Sequence, residues 1–264
     1  MKKILTLLAM AVLAISATAQ DQEKVLFDPD VSVAYGNGAT LTSENTTLVL
    51  GNDRTTKNYD HKNTSAKAYC AELFGQIVME ENSNTGEMEE KTRVSYVVGN
   101  QNPKDGELNG DTSTGNGYKP SDLNLPQSGT YYMITPKKNG HIIAWAVLNP
   151  GKNYYVAKSD GSALPTTDIV FKADGDEATD VVFKEDYTLG LETKVNGTIE
   201  FDVEANETYY VFCTGSKLSL GGYVFTPKGG GSEPSGIFGD LNNDGYVNIS
   251  DVTVLINIIL GLGN

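Results

Sequence analysis

Short runs of alternating hydrophobic and polar residues dominate the chain between residues 20 and 228. A period of two is typical of β-strands that bury one face. Turn-forming pairs separate the runs, among them Asn139-Gly140, Asp160-Gly161 and Asn196-Gly197. Many short strands with this punctuation predict an all-β fold, an antiparallel β-sandwich or jelly-roll-like domain, rather than alternating strands and helices.

The hydrophobic pattern places the strands as follows. The predicted strands are Ala39–Leu41, Thr47–Leu50, Ala68–Met79, Thr92–Val98, Thr130–Pro136, His141–Leu148, Asn153–Ala157, Asp168–Lys172, Ala178–Lys184, Gly197–Val203, Thr208–Cys213 and Gly222–Thr226. The acidic run Glu80–Glu90 indicates an exposed hairpin tip. The stretch Gly99–Gly129, rich in Gly and Asn, predicts a long loop, and loops of that length tend to be functional or flexible.

Three of the predicted strands contain two adjacent tyrosines. Because side chains alternate across a sheet, one tyrosine of each pair faces the core and its neighbour faces outward. An outward tyrosine either packs against a cross-strand neighbour or offers a ring on which a sugar can stack. The candidate ligand-binding residues are Tyr132, Tyr155, Tyr210 and Trp145. Trp145 lies in the nearly continuous apolar run Ile142–Leu148, which also fits a core position.

The first residues have the pattern of a secretory signal peptide. Lys2 and Lys3 precede the apolar run Ile4–Ile15, and Ala17-Thr18-Ala19 gives a small-residue cleavage pattern. We therefore expect residues 1–19 to be removed and the mature domain to occupy residues 20–228. The apolar run is short for a membrane span, so we expect a secreted or extracytoplasmic protein with no transmembrane segment after cleavage.

The formal net charge of the full chain is −14, and the charged residues that cleavage of the signal removes are both basic, Lys2 and Lys3. A strongly acidic chain argues against nucleic acid and against anionic membrane surfaces as partners. Neutral ligands and cations fit this charge. Simple solubility explains it equally well.

The sequence shows no recognisable catalytic constellation. Only two histidines, His61 and His141, are available for a triad or a histidine metal site. A pair of carboxylates can hydrolyse a glycosidic bond, but no spacing singles out one pair among 34 acidic residues. Cys70 and Cys213 each lie in a predicted strand, and whether they form a disulfide stays open at this point.

The strongest chemical signal lies near the C-terminus, in the loop that begins at Asp240. Oxygen-bearing side chains occupy positions one, three, five, nine and twelve of a twelve-residue loop, and Gly245 at its sixth position supplies the sharp turn. Calcium prefers such a set of six to eight oxygen ligands. The predicted Ca²⁺ site consists of the side chains of Asp240, Asn242, Asp244, Asn248 and Asp251, with the backbone carbonyl of Tyr246. An Asx-rich turn without metal is the alternative.

This loop resembles one repeat of the type I dockerin family, whose loops follow Asp-x-Asn-x-Asp-Gly with Asp at position twelve. The resemblance covers residues 239–264, and a linker rich in Gly, Ser and Pro occupies residues 229–238. The resemblance to a dockerin repeat implies that calcium is the cofactor and that the module attaches the protein to a cohesin-like or other protein partner. A single apolar helix cannot bury its own faces, so packing on the preceding domain or self-association through this helix are further alternatives.

The main domain is similar to β-sandwich domains appended to Bacteroidetes pectate lyases and related polysaccharide-degrading proteins. The similar stretches are Gly140–Val156 and Gly197–Phe225. The two resemblances imply a non-catalytic carbohydrate-binding or accessory protein of a polysaccharide-degradation system. Two alternatives stay open, namely a small polysaccharide-active hydrolase or lyase, and a structural or adhesive surface protein.

Overall fold

The computed structural model describes residues 22–51, 58–99, 118–123, 125–126, 130–214 and 217–228. The chain divides into two units, Met1–Lys228 and Gly229–Asn264, and all described residues belong to the first. The predicted signal peptide, the linker, the calcium module and most of the predicted loop Gly99–Gly129 lie outside the described residues. Among the residues described, no helix is long and apolar enough to cross a membrane.

The larger of the two main sheets has ten strands, and all of its pairings are antiparallel. Its strands are β1 (Glu23–Val25), β2 (Tyr35–Gly36), β5 (Asn58–Ser65), β6 (Gln76–Glu81), β7 (Met88–Gly99), β9 (Gly140–Leu148), β11 (Ile169–Ala173), β12 (Thr179–Val181), β15 (Val195–Val203) and β17 (Leu220–Pro227). Their order is β12-β11-β15-β9-β17-β7-β5-β2, with β1 paired to β17 and β6 paired to β7.

The smaller sheet has five strands in the order β10-β16-β8-β4-β3, again antiparallel throughout. Its strands are β3 (Thr40–Thr42), β4 (Thr46–Leu50), β8 (Tyr132–Pro136), β10 (Tyr154–Ala157) and β16 (Tyr209–Cys213). A separate two-stranded hairpin joins β13 (Phe183–Glu185) to β14 (Thr188–Leu189). The all-β, antiparallel prediction is confirmed.

Residues from both sheets pack into one buried cluster. The inward tyrosines of this cluster need partners for their hydroxyl groups, because an unbonded buried hydroxyl costs about 1–3 kcal/mol. Tyr132 donates to the backbone oxygens of Val97 and Leu218 at 3.0 and 2.7 Å. Tyr223 donates to Thr46 Oγ1 at 2.9 Å. These hydrogen bonds tie the two sheets together across the core.

One predicted strand, Ala68–Met79, is wrong in its first half. The structure has the helix α1 (Ala68–Phe74) there, and β6 follows it. Cys70 and Phe74 are the buried residues of α1, and their spacing of four is about one helical turn. They pack with Val94 and Trp145 in a second buried cluster. The short apolar segment fits a strand and a helix equally well, and tertiary packing selects the helix.

Asp174 caps the first turn of α1 from a distant part of the chain. Its carboxylate oxygens accept hydrogen bonds from the backbone N–H groups of Lys67 and Cys70, at 2.7 and 3.0 Å. Helix starts leave such N–H groups without intrahelical partners, and a carboxylate there also interacts favourably with the helix dipole. The residue immediately before α1 offers no side-chain cap, so this helix start cannot be read from local sequence.

The hairpin predicted around Glu80–Glu90 is confirmed as the connection between β6 and β7. Asn82 donates its backbone N–H to Glu87 O at 2.8 Å, and Gly86 adopts a φ of 73° that favours glycine. The hydrophobic pattern does not predict the strand β5, because the sequence of β5 is almost entirely polar.

Candidate functional site

The tyrosine pairs lie on the five-stranded sheet and split between its two faces. The inward members are Tyr132, Tyr154 and Tyr209, and the outward members are Tyr131, Tyr155 and Tyr210. Tyr155 and Tyr210, two of the predicted ligand-binding residues, therefore face outward as predicted. The prediction is wrong for Tyr132, because Tyr132 belongs to the core and its neighbour Tyr131 faces outward.

The outward tyrosines form a cluster of aromatic rings with Phe212 and with two tyrosines from outside this sheet, Tyr118 and Tyr187. The centroid of the Tyr155 ring lies 4.8 Å from that of Tyr118 and 4.6 Å from that of Tyr187. The Tyr131 and Tyr210 rings lie 6.0 Å apart with an interplanar angle of 33°. These separations are those of edge-to-face and offset aromatic pairs.

The rings of Tyr118 and Tyr187 are held in this aromatic cluster by hydrogen bonds of their hydroxyl groups. Tyr118 donates to Gly161 O at 2.9 Å, and Tyr187 donates to Leu164 O at 2.9 Å. Their rings are consequently held in place while both residues remain partly exposed. Tyr210 is partly exposed as well, and its partial burial raises the pKa of its phenol. The three partly exposed rings offer fixed apolar surface to a ligand.

A row of threonines crosses the same outward face next to the aromatic rings. Thr42 pairs with Thr47, and Thr47 pairs with Thr135 in the strand register. Thr208 continues the row, since Tyr209 pairs with Ile134 and the hydroxyls of Thr135 and Thr208 lie 2.8 Å apart. All four threonines are partly or fully exposed. The row presents hydroxyl groups at the spacing of neighbouring strands, about 4.8 Å.

The five strands of this sheet contain no Asp, Glu, Lys or Arg. The strands of the ten-stranded sheet do contain charged residues. For example, β6 and β7 have two glutamates each. In a chain of net charge −14, five strands without a charged residue are a distinctive feature. We name the outward side of this sheet the neutral face. The residues of the neutral face are Thr40, Thr42, Thr47, Val49, Tyr131, Met133, Thr135, Tyr155, Thr208, Tyr210 and Phe212.

Two of the predicted ligand-binding residues, Trp145 and Tyr132, lie in the core. Both side chains are 0% exposed. A ring without exposed area offers no stacking surface, so these two residues act in packing. Trp145 contacts Tyr96 with ring centroids 5.3 Å apart in the cluster beneath α1. Tyr155 faces outward but is only 5% exposed, because the rings of Tyr118, Tyr187 and Phe212 pack against it. Tyr210 is the accessible ring among the four candidates.

A network of charged side chains occupies the ten-stranded sheet, centred on the buried Glu200. Its carboxylate accepts hydrogen bonds from Tyr69 Oη at 2.8 Å and Thr198 Oγ1 at 2.9 Å, and pairs with Lys172 Nζ at 3.2 Å. Burial alone would raise the pKa of Glu200. The hydrogen bonds and nearby charges, including His141, outweigh burial and hold this pKa at about 2.

His141 lies between two carboxylates of this network. Its Nε2 is 4.0 Å from Glu200 Oε2, and its Nδ1 is 2.9 Å from Asp202 Oδ1. The interaction with Glu200 is the largest cause that raises the pKa of His141; burial opposes it and Asp202 adds to it. Lys228 also pairs with Asp202 at 2.7 Å. The network joins strands β9, β11 and β15 to α1, and its carboxylates are held ionised by their partners.

The two cysteines, both within the described ranges, are buried thiols that are not joined in a disulfide. Cys213 belongs to the core between the sheets, and Cys70 to the cluster beneath α1. Burial raises the pKa of the Cys213 thiol to about 12, and raises that of Cys70 as well. A thiol with a raised pKa is a poor nucleophile at neutral pH.

The predicted calcium ligands Asp240, Asn242, Asp244, Tyr246, Asn248 and Asp251 lie outside the described residues. Within the ranges that the structure does describe, no group of three or more His, Cys, Asp or Glu side chains is arranged to hold a metal ion. The calcium site therefore remains a prediction from sequence.

Comparison with known proteins does not assign the chain to a family. No protein-family model matches the chain, and no curated protein matches its sequence.

Proposed function

We propose that the protein is an exported, non-catalytic polysaccharide-binding protein whose neutral face holds an uncharged glycan. In this proposal the two main sheets form a β-sandwich, and a C-terminal dockerin-like repeat stabilised by Ca²⁺ attaches the protein to a cohesin-like or other partner. The single observation that carries the proposal is the absence of Asp, Glu, Lys and Arg from the five described strands beneath the neutral face.

Aromatic rings and hydroxyl groups are the chemistry that an uncharged sugar requires. A pyranose ring has an apolar side that packs on an aromatic ring, and its hydroxyls exchange hydrogen bonds with groups such as threonine. Tyr210 and the threonine pair Thr135 and Thr208 place both kinds of group side by side. The anchored rings of Tyr118 and Tyr187 widen the apolar surface. Fixed side chains lose little conformational entropy when a ligand binds.

The lack of Arg and Lys in these five described strands favours a neutral glycan over a uronic acid polymer. Recognition of a carboxylate commonly uses Arg or Lys, since charge-assisted hydrogen bonds are about twice as strong as neutral ones. Pectin-like polyuronates, which the resemblance to pectate-lyase domains suggests, therefore fit this face less well than neutral chains.

The charged network around Glu200 does not favour an enzyme. A general acid of a glycosidase needs a raised pKa, whereas the pKa of Glu200 is lowered to about 2. Its oxygens are engaged by Tyr69, Thr198 and Lys172. This arrangement supports a structural role in fastening α1 to the sheet.

A glycan array combined with a reducing-sugar assay tests the proposal. The mature protein with calcium is expected to bind neutral polysaccharides such as xyloglucan, galactan or mannan, to bind polygalacturonate at least about tenfold more weakly, and to release no reducing ends. Release of reducing ends that increases with time and protein concentration would contradict the non-catalytic assignment. Binding to no neutral glycan would contradict the role of the neutral face.

A further inference from the structure

The strand β6 has an edge that no other described strand covers. It pairs with β7 alone. Because Asn82 donates its backbone N–H to Glu87 O, the alternation of an antiparallel ladder directs the N–H and C=O groups of Ile77, Met79 and Glu81 away from β7. This edge therefore presents a row of backbone donors and acceptors at the spacing of a strand.

A groove of about 690 Å³ runs along this edge. Its other walls are the segment Pro29–Val31 and the β5 residues His61, Lys62 and Asn63. The segment Pro29–Val31 does not pair with β6, because it closes on itself as a turn in which Val33 donates its backbone N–H to Asp30 O at 3.0 Å. The groove is thus bounded by a strand edge on one side and, on the other, by a turn whose Pro29 carbonyl accepts a hydrogen bond from Asn63 Nδ2 at 3.0 Å.

The groove has exposed apolar side chains. Ile77, Met79 and Val31 are 59%, 54% and 49% exposed. Edge strands are normally protected by Pro, Lys or a bulge, and an exposed apolar edge otherwise recruits another strand. The sequence of β6, Gln-Ile-Val-Met-Glu-Glu, contains neither Pro nor Lys, and its register with β7 is continuous.

The charge around the groove is negative. Glu80 is neutralised by Arg93, whose Nε and Nη2 lie 2.7 and 2.6 Å from its two oxygens. Within the described ranges, neither Asp30 nor Glu81 forms an ion pair, and Lys62 pairs with Asp60 at 3.6 Å. A second copy of the chain would bring like charges together at this edge, which is unfavourable. A partner with basic side chains complements it.

We infer that this groove binds an extended segment of a partner polypeptide, with alternating apolar and basic side chains, that adds a strand to β6. Main-chain hydrogen bonds to Ile77, Met79 and Glu81 hold the segment, and its alternate side chains select it. The apolar side chains pack on Ile77 and Met79. The basic ones lie on the opposite face of the added strand and meet the negative charge of the groove, including Asp30. This site lies on the other sheet from the neutral face and is independent of glycan binding.

The test uses the intact mature protein and an acetylated, amidated eight-residue peptide of alternating Lys and Val. Met79→Pro removes an outward N–H without breaking the ladder to β7, while Met79→Ala keeps that N–H and removes the side chain. Fluorescence anisotropy is expected to show binding to the wild type, a loss of affinity of at least about tenfold in Met79→Pro, and about threefold or less in Met79→Ala. A Glu–Val peptide is expected to bind at least about tenfold more weakly than the Lys–Val peptide.

Hydrogen exchange gives a second readout that does not depend on how the proline variant folds. Addition of the Lys–Val peptide to the wild type is expected to slow exchange at the amides of Ile77, Met79 and Glu81. Absence of this protection, equal binding by wild type and a folded Met79→Pro variant, or no binding at millimolar peptide would overturn the inference. A concentration-dependent dimer that Met79→Pro abolishes would also overturn it, because the occupant would then be a second copy.

Discussion

The hydroxyl oxygens of Thr135 and Thr208 lie 2.8 Å apart on the neutral face. This hydrogen bond joins β8 to the residue that precedes β16, and it fixes both side chains beside Tyr210. Each hydroxyl can still accept or donate one further hydrogen bond. The pair therefore offers a ready site for a sugar hydroxyl next to an apolar ring.

Thr208→Val keeps the shape of this side chain and removes its hydroxyl. We expect glycan affinity to fall about threefold to tenfold, because one hydrogen bond contributes about 0.5–1.5 kcal/mol. The free energy of unfolding should fall by about 1 kcal/mol or less. Titration calorimetry and urea unfolding measure the two effects. Thr64→Val on β5 of the other sheet is the matched control, and an equal loss of affinity there would refute the assignment.

The cap that Asp174 gives to α1 predicts a stability effect. Asp174→Ala leaves the N–H groups of Lys67 and Cys70 without this acceptor, so we expect the free energy of unfolding to fall by about 1–2 kcal/mol. Loosening of α1 should also speed the reaction of the buried Cys70 with a thiol reagent. Asp176→Ala, at an exposed position two residues further on, is the control. Unchanged stability in Asp174→Ala would show that the cap contributes little.

The charged network predicts how stability depends on pH. The folded-state pKa of His141 is raised, so its contribution is fully present below the ordinary histidine pKa of about 6.5 and is lost as the pH rises through the folded value. We expect His141→Gln to cost more at about pH 5.5 than at about pH 9. The difference should stay below about 1 kcal/mol, because the side chain is 37% exposed and solvent screens it. Urea unfolding at both pH values measures it, and a larger cost at the higher pH would contradict the pairing.

The calcium module predicts metal-dependent helix formation. Asp244→Ala should abolish calcium uptake by the C-terminal loop and the accompanying gain in helical circular dichroism, because Asp244 supplies a central oxygen of the predicted site. Asn243→Ala changes a neighbouring loop residue that is not among the predicted ligands, and should leave both signals intact. Calorimetry that detects no calcium uptake by the wild-type mature protein would end this part of the proposal.

The sequence pattern predicts the all-β class and most of the strands, since a period of two is a local property. It fails at α1, where the helix depends on the distant Asp174 and on packing against Trp145. It also misses β5, whose polar residues pair with the long strand β7. Such long-range pairing has no local signal.

The neutral face is predictable only in part, because alternation along a strand is a local property whereas the pairing of strands is not. Alternation within each tyrosine pair predicts that one member faces outward, but it does not say which one. The candidates Tyr155 and Tyr210 have the outward position, whereas the candidate Tyr132 lies in the core and its neighbour Tyr131 faces outward. The row of four threonines has no local signal, because its members become neighbours only through the strand register. The lack of charged residues in the five strands becomes visible once those strands are assigned to one sheet.

Glycan affinity of two Tyr210 variants shows whether the neutral face binds a sugar through this ring. Tyr210→Phe keeps the ring and Tyr210→Ala removes it, and thermal unfolding of both checks that the domain is intact. Affinity electrophoresis in xyloglucan, galactan and mannan should show binding by the wild type and Tyr210→Phe, and a loss of at least about tenfold in Tyr210→Ala. Wild-type affinity in a folded Tyr210→Ala variant would show that the neutral face does not hold the glycan.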